Sequence, residues 1–294
     1  MSVVTDGGDF SAVASVWRQQ SVWSQAANQL KASIVRSRTV GLYLAALGAL
    51  LGTGAAQTAS WNPALAKWLA FGAALALAAG PVVGRFAASE RTRDWTRLRS
   101  VSEALKADVY RFLAGVPPFD DDGRDRELLD RLDRLLKDAD DLRRYSSGMT
   151  PVVRELPPVT DLRSYVEYRV TAQLDGYYRP KARQMHERVS RFRRIEVTLS
   201  LVAAVLAAVA AVYGKEAAAS WVAAVTTIMA LVTAHGAAER YEYQEIEFSR
   251  TADALERLRA DRGSTDSDGF VESCESIISV QNEAWMAKLS NPEP

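Results

Sequence analysis

Few side chains in this sequence could do chemistry, and their spacing narrows what that chemistry is. In "STDSDGFVESCE", Asp266, Asp268, Gly269, Val271 and Glu275 fall at the third, fifth, sixth, eighth and twelfth positions of an EF-hand loop, an oxygen-rich pattern that suits calcium. The first position holds Ser264 in place of Asp, which removes one carboxylate. The competing reading is a polar linker, with Asp268 as the N-cap of a final helix and Glu272 in its first turn. His186 and His235 are the only histidines and Cys274 the only thiol, too few for a zinc ligand set or a cysteine–histidine nucleophile. G-x-G-x-x-G, Walker A and G-x-S-x-G patterns are missing. The sequence is therefore expected to be neither an enzyme nor a cofactor carrier. The run "DDDG" at 120–123 reads as negative charge at a helix start, where the dipole favours it.

A second group of polar residues lies inside apolar sequence. The stretch "LVAAVLAAVAAVYGKEAAASWVAAVTTIMALVTAHG", residues 201–236, carries Thr226, Thr227, Thr233 and His235, and Glu196 stands just before it. These threonines either line a narrow polar path or bond to the carbonyl one turn back within their own helix. Glu196 would form a charged ring in an oligomer and His235 would titrate there; the alternative is that both are solvated residues at an interface. No Asp, Glu, Lys or Arg lies deep in the apolar runs, which argues against a proton-coupled transporter or a voltage sensor.

The elements that position these residues are four apolar segments in two pairs, within 40–84 and 197–238. Each is about 17 to 22 residues long, enough to cross a hydrocarbon core of ~30 Å. A soluble bundle of Ala-rich helices would need a polar stripe on each helix, and these segments have none. Trp61 and Trp68 flank the first connection, and Tyr213 and Trp221 the second, as an aromatic belt would. The short connections carry only Lys67 and Lys215 as basic residues. Arg36, Arg38, Arg85, Arg91, Arg93, Arg191, Arg193, Arg194 and Arg240 crowd the opposite ends. The positive-inside rule then predicts cytoplasmic N- and C-termini. The balanced composition, 36 basic against 36 acidic residues, hides this partition and does not suggest nucleic acid as a partner. One cysteine forbids an internal disulfide, and "MSVVTDGGDF" shows no signal peptide.

The chain also reads as a duplication. Trp23, Ala27, Leu30, Arg36, Arg38, Val40 and Leu44 align at one constant offset with Tyr178, Ala182, Met185, Arg191, Arg193, Ile195 and Leu199, and residues 89–105 align with 239–255 at a slightly shorter one. The expected class is thus an all-α integral membrane protein, with four transmembrane helices as two parallel hairpin repeats and extended cytoplasmic helices. The first repeat is expected over residues 1–114, a connecting helix over 115–158, the second repeat over 159–262, and a C-terminal helix and tail over 263–294. Leu128, Leu132, Leu135 and Leu142 form an apolar stripe suited to an intrachain neighbour. Small residues at Gly41, Ala45, Gly48, Ala49, Gly52, Gly72, Ala76 and Gly80 predict close helix packing.

With its duplicated hairpin, the aromatic residues Trp23, Tyr177 and Tyr178, the Arg pairs before each hairpin and Glu283 ahead of Trp285, the sequence resembles the SLATT superfamily, SMODS and SLOG-associating two-transmembrane effectors. It looks most like the double-hairpin actinobacterial branch. The resemblance implies a pore-forming effector in the bacterial plasma membrane, linked to nucleotide-signalled stress or defence, and brings no catalytic residues. The expected function is a pore or channel-like effector gated through its cytoplasmic helices, working as a homo-oligomer in membrane lipid with a cytoplasmic signalling partner. The rival expectation is a non-conducting membrane anchor or scaffold.

Overall fold

The computed structural model describes residues 11–214, 216–261 and 266–290, the side chains of 216, 217 and 280–290 excepted. The opening decapeptide, Lys215, Ser264 and the side chains of Glu283 and Trp285 lie outside the described residues. Within them the chain is all-helical. Helix α1 runs Ala12–Thr58, α2 Pro63–Gly84, α3 Ser89–Ala114 and α4 Arg124–Asp138. Short helices α5 (Arg143–Ser146) and α6 (Leu162–Tyr165) follow, then α7 Arg179–Tyr213, α8 Glu216–Glu239, α9 Tyr241–Ala260 and α10 Ser267–Ser290. Four helical stretches are long and apolar enough to cross a membrane.

The turns form where the sequence dictates. Asn62 caps α2 by accepting from the Leu65 amide, and Pro63 occupies the first helical position, where a missing N–H costs nothing. Gly214 closes the second hairpin with φ +59°, a conformation that glycine adopts without strain. Between Lys181 and Val212 no glycine or proline intervenes, and α7 is correspondingly unbroken.

The chain divides into two compact units, and both draw on the first and second expected repeats. The membrane unit comprises Ser33–Ala88 and Arg183–Glu245. In it, α1 and α2 approach closely through small residues. A Cβ built on Gly48 would stand 2.8 Å from the Leu77 side chain, and one on Gly72 would stand 3.2 Å from that of Leu51. Gly41 and Gly80 have nothing within 4 Å, so their sides of the helices are open within the chain. Arg38 of α1 pairs with Glu239 of α8 at 3.1 Å. At most 11 % of any apolar window is buried, and Trp61, Trp68, Leu201, Val205 and Tyr213 stand out from the chain. A surface this apolar requires lipid or protein around it.

The second unit comprises Met1–Ala32, Ser89–Ala182 and Ile246–Pro294. Helix α3 is its axis, burying Leu98, Leu105, Val109 and Phe112. Val16, Trp23, Ala27 and Leu30 from α1 join that core, as do Leu128 and Leu132 from α4 and Phe270, Val271, Cys274 and Ile278 from α10. The expected leucine stripe is thus satisfied inside the chain, with Arg131 of α4 clamping buried Asp108 of α3 at 2.9 and 3.0 Å. Trp23 and Tyr178, aligned as equivalents in the sequence, are both buried.

Candidate functional site

Helix α6 passes into π-helical turns over Val166–Thr171 and Leu174–Tyr178. Such wide turns re-aim side chains and occur often at functional sites. Here they aim Arg169 at α10. Its guanidinium donates from Nε and Nη2 to the two carboxylate oxygens of Glu275, at 2.8 and 2.6 Å, and the Tyr165 hydroxyl donates to the same carboxylate at 2.9 Å. Arg169 and Glu275 are each about 1 % exposed, and the Arg169 cation lies 4.7 Å from the centre of the Tyr110 ring. Burial alone would weaken the hold of Arg169 on its proton. The Glu275 charge and its hydrogen bonds outweigh that, so the guanidinium is held protonated more firmly than usual. Burial, then the Glu275 charge, pushes the Tyr165 phenol well up.

More charge surrounds this pair. Arg99 and Glu103 bond at 2.7 Å on α3, and burial pushes the Lys106 ammonium down to about 8 against the opposing pull of Glu103. A cavity of about 170 Å³ lies between α3, α4 and α10, touching Glu103, Asp108, Arg111, Arg131, Glu275 and Ser279. Arg169 Nη1 and Arg111 Nε are buried without a protein partner, and Arg111 borders this polar cavity, which has room for a water that would satisfy its Nε.

The sequence could not have pointed to this cluster. Arg169 and Glu275 are far apart in the chain, and each taken alone reads as one more charge on an amphipathic helix. The signal that was available is a carboxylate among Phe270, Val271, Cys274 and Ile278, on the buried face of the last helix.

The same contact removes the calcium reading. Helix α10 begins at Ser267, so Asp268 lies inside its first turn instead of capping it, and Asp266 precedes it as an exposed residue. Glu275 points into the core and is spent on Arg169 and Tyr165. Asp266, Asp268 and Glu275 are not brought together, and among the described residues no group of three or more acidic, histidine or cysteine side chains could hold a metal.

The membrane candidates separate into two groups. Thr233 of α8 donates to Glu196 of α7 at 2.7 Å, and His235 stacks on Phe192 with ring centres 5.8 Å apart, so Glu196, Thr233 and His235 meet at one end of the second hairpin. Thr226 and Thr227 lie about two turns deeper. Their hydroxyls donate to Val222 and Ala223 carbonyls of their own helix, at 3.0 and 2.8 Å. Around Glu196 the structure forms a cavity of about 410 Å³, bounded by Phe192, Arg193, Thr233, Arg240 and Tyr241.

Residues 165–285, which hold the second hairpin together with Tyr165, Arg169 and Glu275, match the family model for SMODS and SLOG-associating 2TM effector domain 1. The chain fits a SLATT-family membrane protein. Residues 21–127 match a second model, described as a protein of unknown function (DUF4231), so one SLATT or DUF4231 match falls on each half of the chain. Neither a curated protein nor a solved structure matches it. A match to a 2TM effector domain implies a membrane-associated effector.

Proposed function

We propose that this SLATT protein is an oligomeric, pore-like effector of the plasma membrane that is controlled through its cytoplasmic helices and does no catalysis. The observation that carries the reading is the pairing of an effector domain with membrane helices whose apolar faces are almost wholly uncovered within one chain. Four slender helices cannot enclose a water path alone, and the open sides at Gly41 and Gly80 suit close approach by further copies. Control from outside the membrane is supported by chain continuity, since α1 and α7 each begin in the charged helical unit and end in a hairpin without a break. The Arg169–Glu275 contact ties α10 to the segment that leads into α7, so a partner or ligand that loosens α10 would act directly on that helix.

One observation favours a second reading, a non-conducting anchor that recruits a cytoplasmic partner. Thr226 and Thr227 already bond to their own helix, which leaves only lone pairs to face a permeant ion. Growth on overexpression separates the two. A pore slows growth, and Thr226→Leu or Thr227→Leu relieves it by removing the polar lining; an anchor is harmless in all three forms.

A further inference from the structure

Between α8 and α9 the chain turns at Arg240, whose φ is +51°. It is the one non-glycine residue with positive φ among the described residues. This left-handed conformation costs an L-residue about 1 kcal/mol or more and is ordinarily given to glycine or asparagine. A strained position that keeps a long cationic side chain points to a use for that side chain. Arg240 is half-buried, and among the described residues its guanidinium has no hydrogen-bond or ion-pair partner. It borders the 410 Å³ cavity together with Phe192, Arg193, Glu196, Thr233 and Tyr241, all within the membrane unit.

The depth of this cavity follows from the helix. Glu196 precedes the hairpin turn at Gly214 by about 17 residues of α7, or roughly 26 Å, close to one hydrocarbon thickness. The cavity therefore opens at headgroup level, on the leaflet that faces the arginine-rich ends of the hairpin. Val197 and Leu201, which follow Glu196 along α7 toward the turn, are exposed apolar side chains that lipid would cover.

Its charges are of both signs. Arg240 offers up to five donors in a planar fork that matches a phosphate. Glu196 uses Oε1 to accept from Thr233 and keeps Oε2 for a second donor. A second mixed pair, Arg193 and Glu242 at 3.7 Å, stands at the rim. A free anion or a purely anionic headgroup would meet two carboxylates here, whereas a zwitterion pairs with both signs. An ammonium that still carries hydrogens suits Glu196 better than a quaternary one, which has none to donate.

We propose that this cavity binds the headgroup of a phospholipid with a phosphate and a primary ammonium, the phosphate on Arg240 and the ammonium on Glu196. The site requires membrane insertion but not conduction, so it stands whether the protein is a pore or an anchor.

The test is native mass spectrometry of the full-length protein in detergent, titrated with phosphatidylethanolamine, phosphatidylcholine or phosphatidylglycerol, with glycerophosphoethanolamine as a chain-free competitor. The expected result is that phosphatidylethanolamine binds at least about tenfold more tightly than the other two, the size of effect a charge-assisted hydrogen bond supports. Arg240→Gly should weaken binding of all three lipids by about tenfold, because it removes the phosphate contact they share, while leaving the melting temperature equal or higher, because glycine relieves the backbone. Glu196→Gln should abolish the preference, because it removes the charge that pairs with the ammonium. Equal binding of the three lipids, an affinity unchanged in Arg240→Gly, or a preference that survives Glu196→Gln overturns the assignment. So does glycerophosphoethanolamine binding as tightly as the intact lipid, since the site would then belong to a soluble ligand.

Discussion

The buried pair at the centre of the second unit gives the sharpest perturbation. Glu275→Gln keeps the shape of the side chain and one acceptor but removes the charge that holds Arg169 in a fully enclosed site. Breaking one partner of a buried ion pair costs about 3–5 kcal/mol, because the remaining charge is left uncompensated. Arg169 already has one buried nitrogen without a protein partner and no exposed surface through which to recover hydration, which argues for the upper part of that range. At about 2–4 °C per kcal/mol for a unit of this size, the melting temperature should fall by roughly 6–20 °C. Tryptophan fluorescence of the protein in nanodiscs reads that transition, and amide hydrogen exchange locates it: exchange should accelerate in α10 and over residues 162–178 before other parts of the unit. The double variant Arg169→Met with Glu275→Leu should recover most of the loss, since apolar replacement of both members of a buried pair is often neutral or better. A Glu275→Gln shift under about 2 °C, or a double variant no more stable than the single one, would refute the reasoning.

Two further outcomes follow from the same region. Because the folded Lys106 amine sits at about 8, below its ordinary 10.5, the unfolded chain binds more protons between those values. Stability should therefore rise as pH goes from about 8 to about 10.5, by at most roughly 3 kcal/mol, and Lys106→Met should flatten that rise and melt higher than wild type at pH 7. Cys274 is fully buried, and burial followed by the neighbouring Glu275 charge pushes its thiol up to about 12. It should resist maleimide in the folded protein and react promptly in denaturant, whereas fast labelling of the native state would contradict the packing of α10.

The membrane half of this fold is legible in the sequence because lipid imposes one simple rule, apolar length with charge at the ends. Val40, Trp68, Tyr213 and Arg193 show it residue by residue. The continuous α7 was also legible, since no glycine or proline interrupts Lys181 to Val212. The contacts outside the membrane were not. Two long-range partners such as Arg169 and Glu275 have no periodicity to connect them, and π-helical turns have no residue signature as plain as a glycine or proline. The weak calcium pattern shows the opposite case: spacing along the chain resembled a loop, while the apolar residues around Glu275 folded it into a helix and turned it inward. At the hairpin mouth, Glu196, Thr233 and His235 were identifiable as polar groups near a membrane boundary. Their convergence with Phe192 and the turn at Arg240 came only with the packing of α7 against α8.

The central claim, an oligomeric pore, is tested most directly by ion flux from dye-loaded liposomes that hold the purified full-length protein, with its oligomeric mass measured on the same sample. The account predicts a defined oligomer that releases ions, and a loss of flux in Thr226→Leu at unchanged mass. A well-folded protein that stays monomeric, or an oligomer that conducts nothing when its α10 contact is loosened by Glu275→Gln, would contradict it.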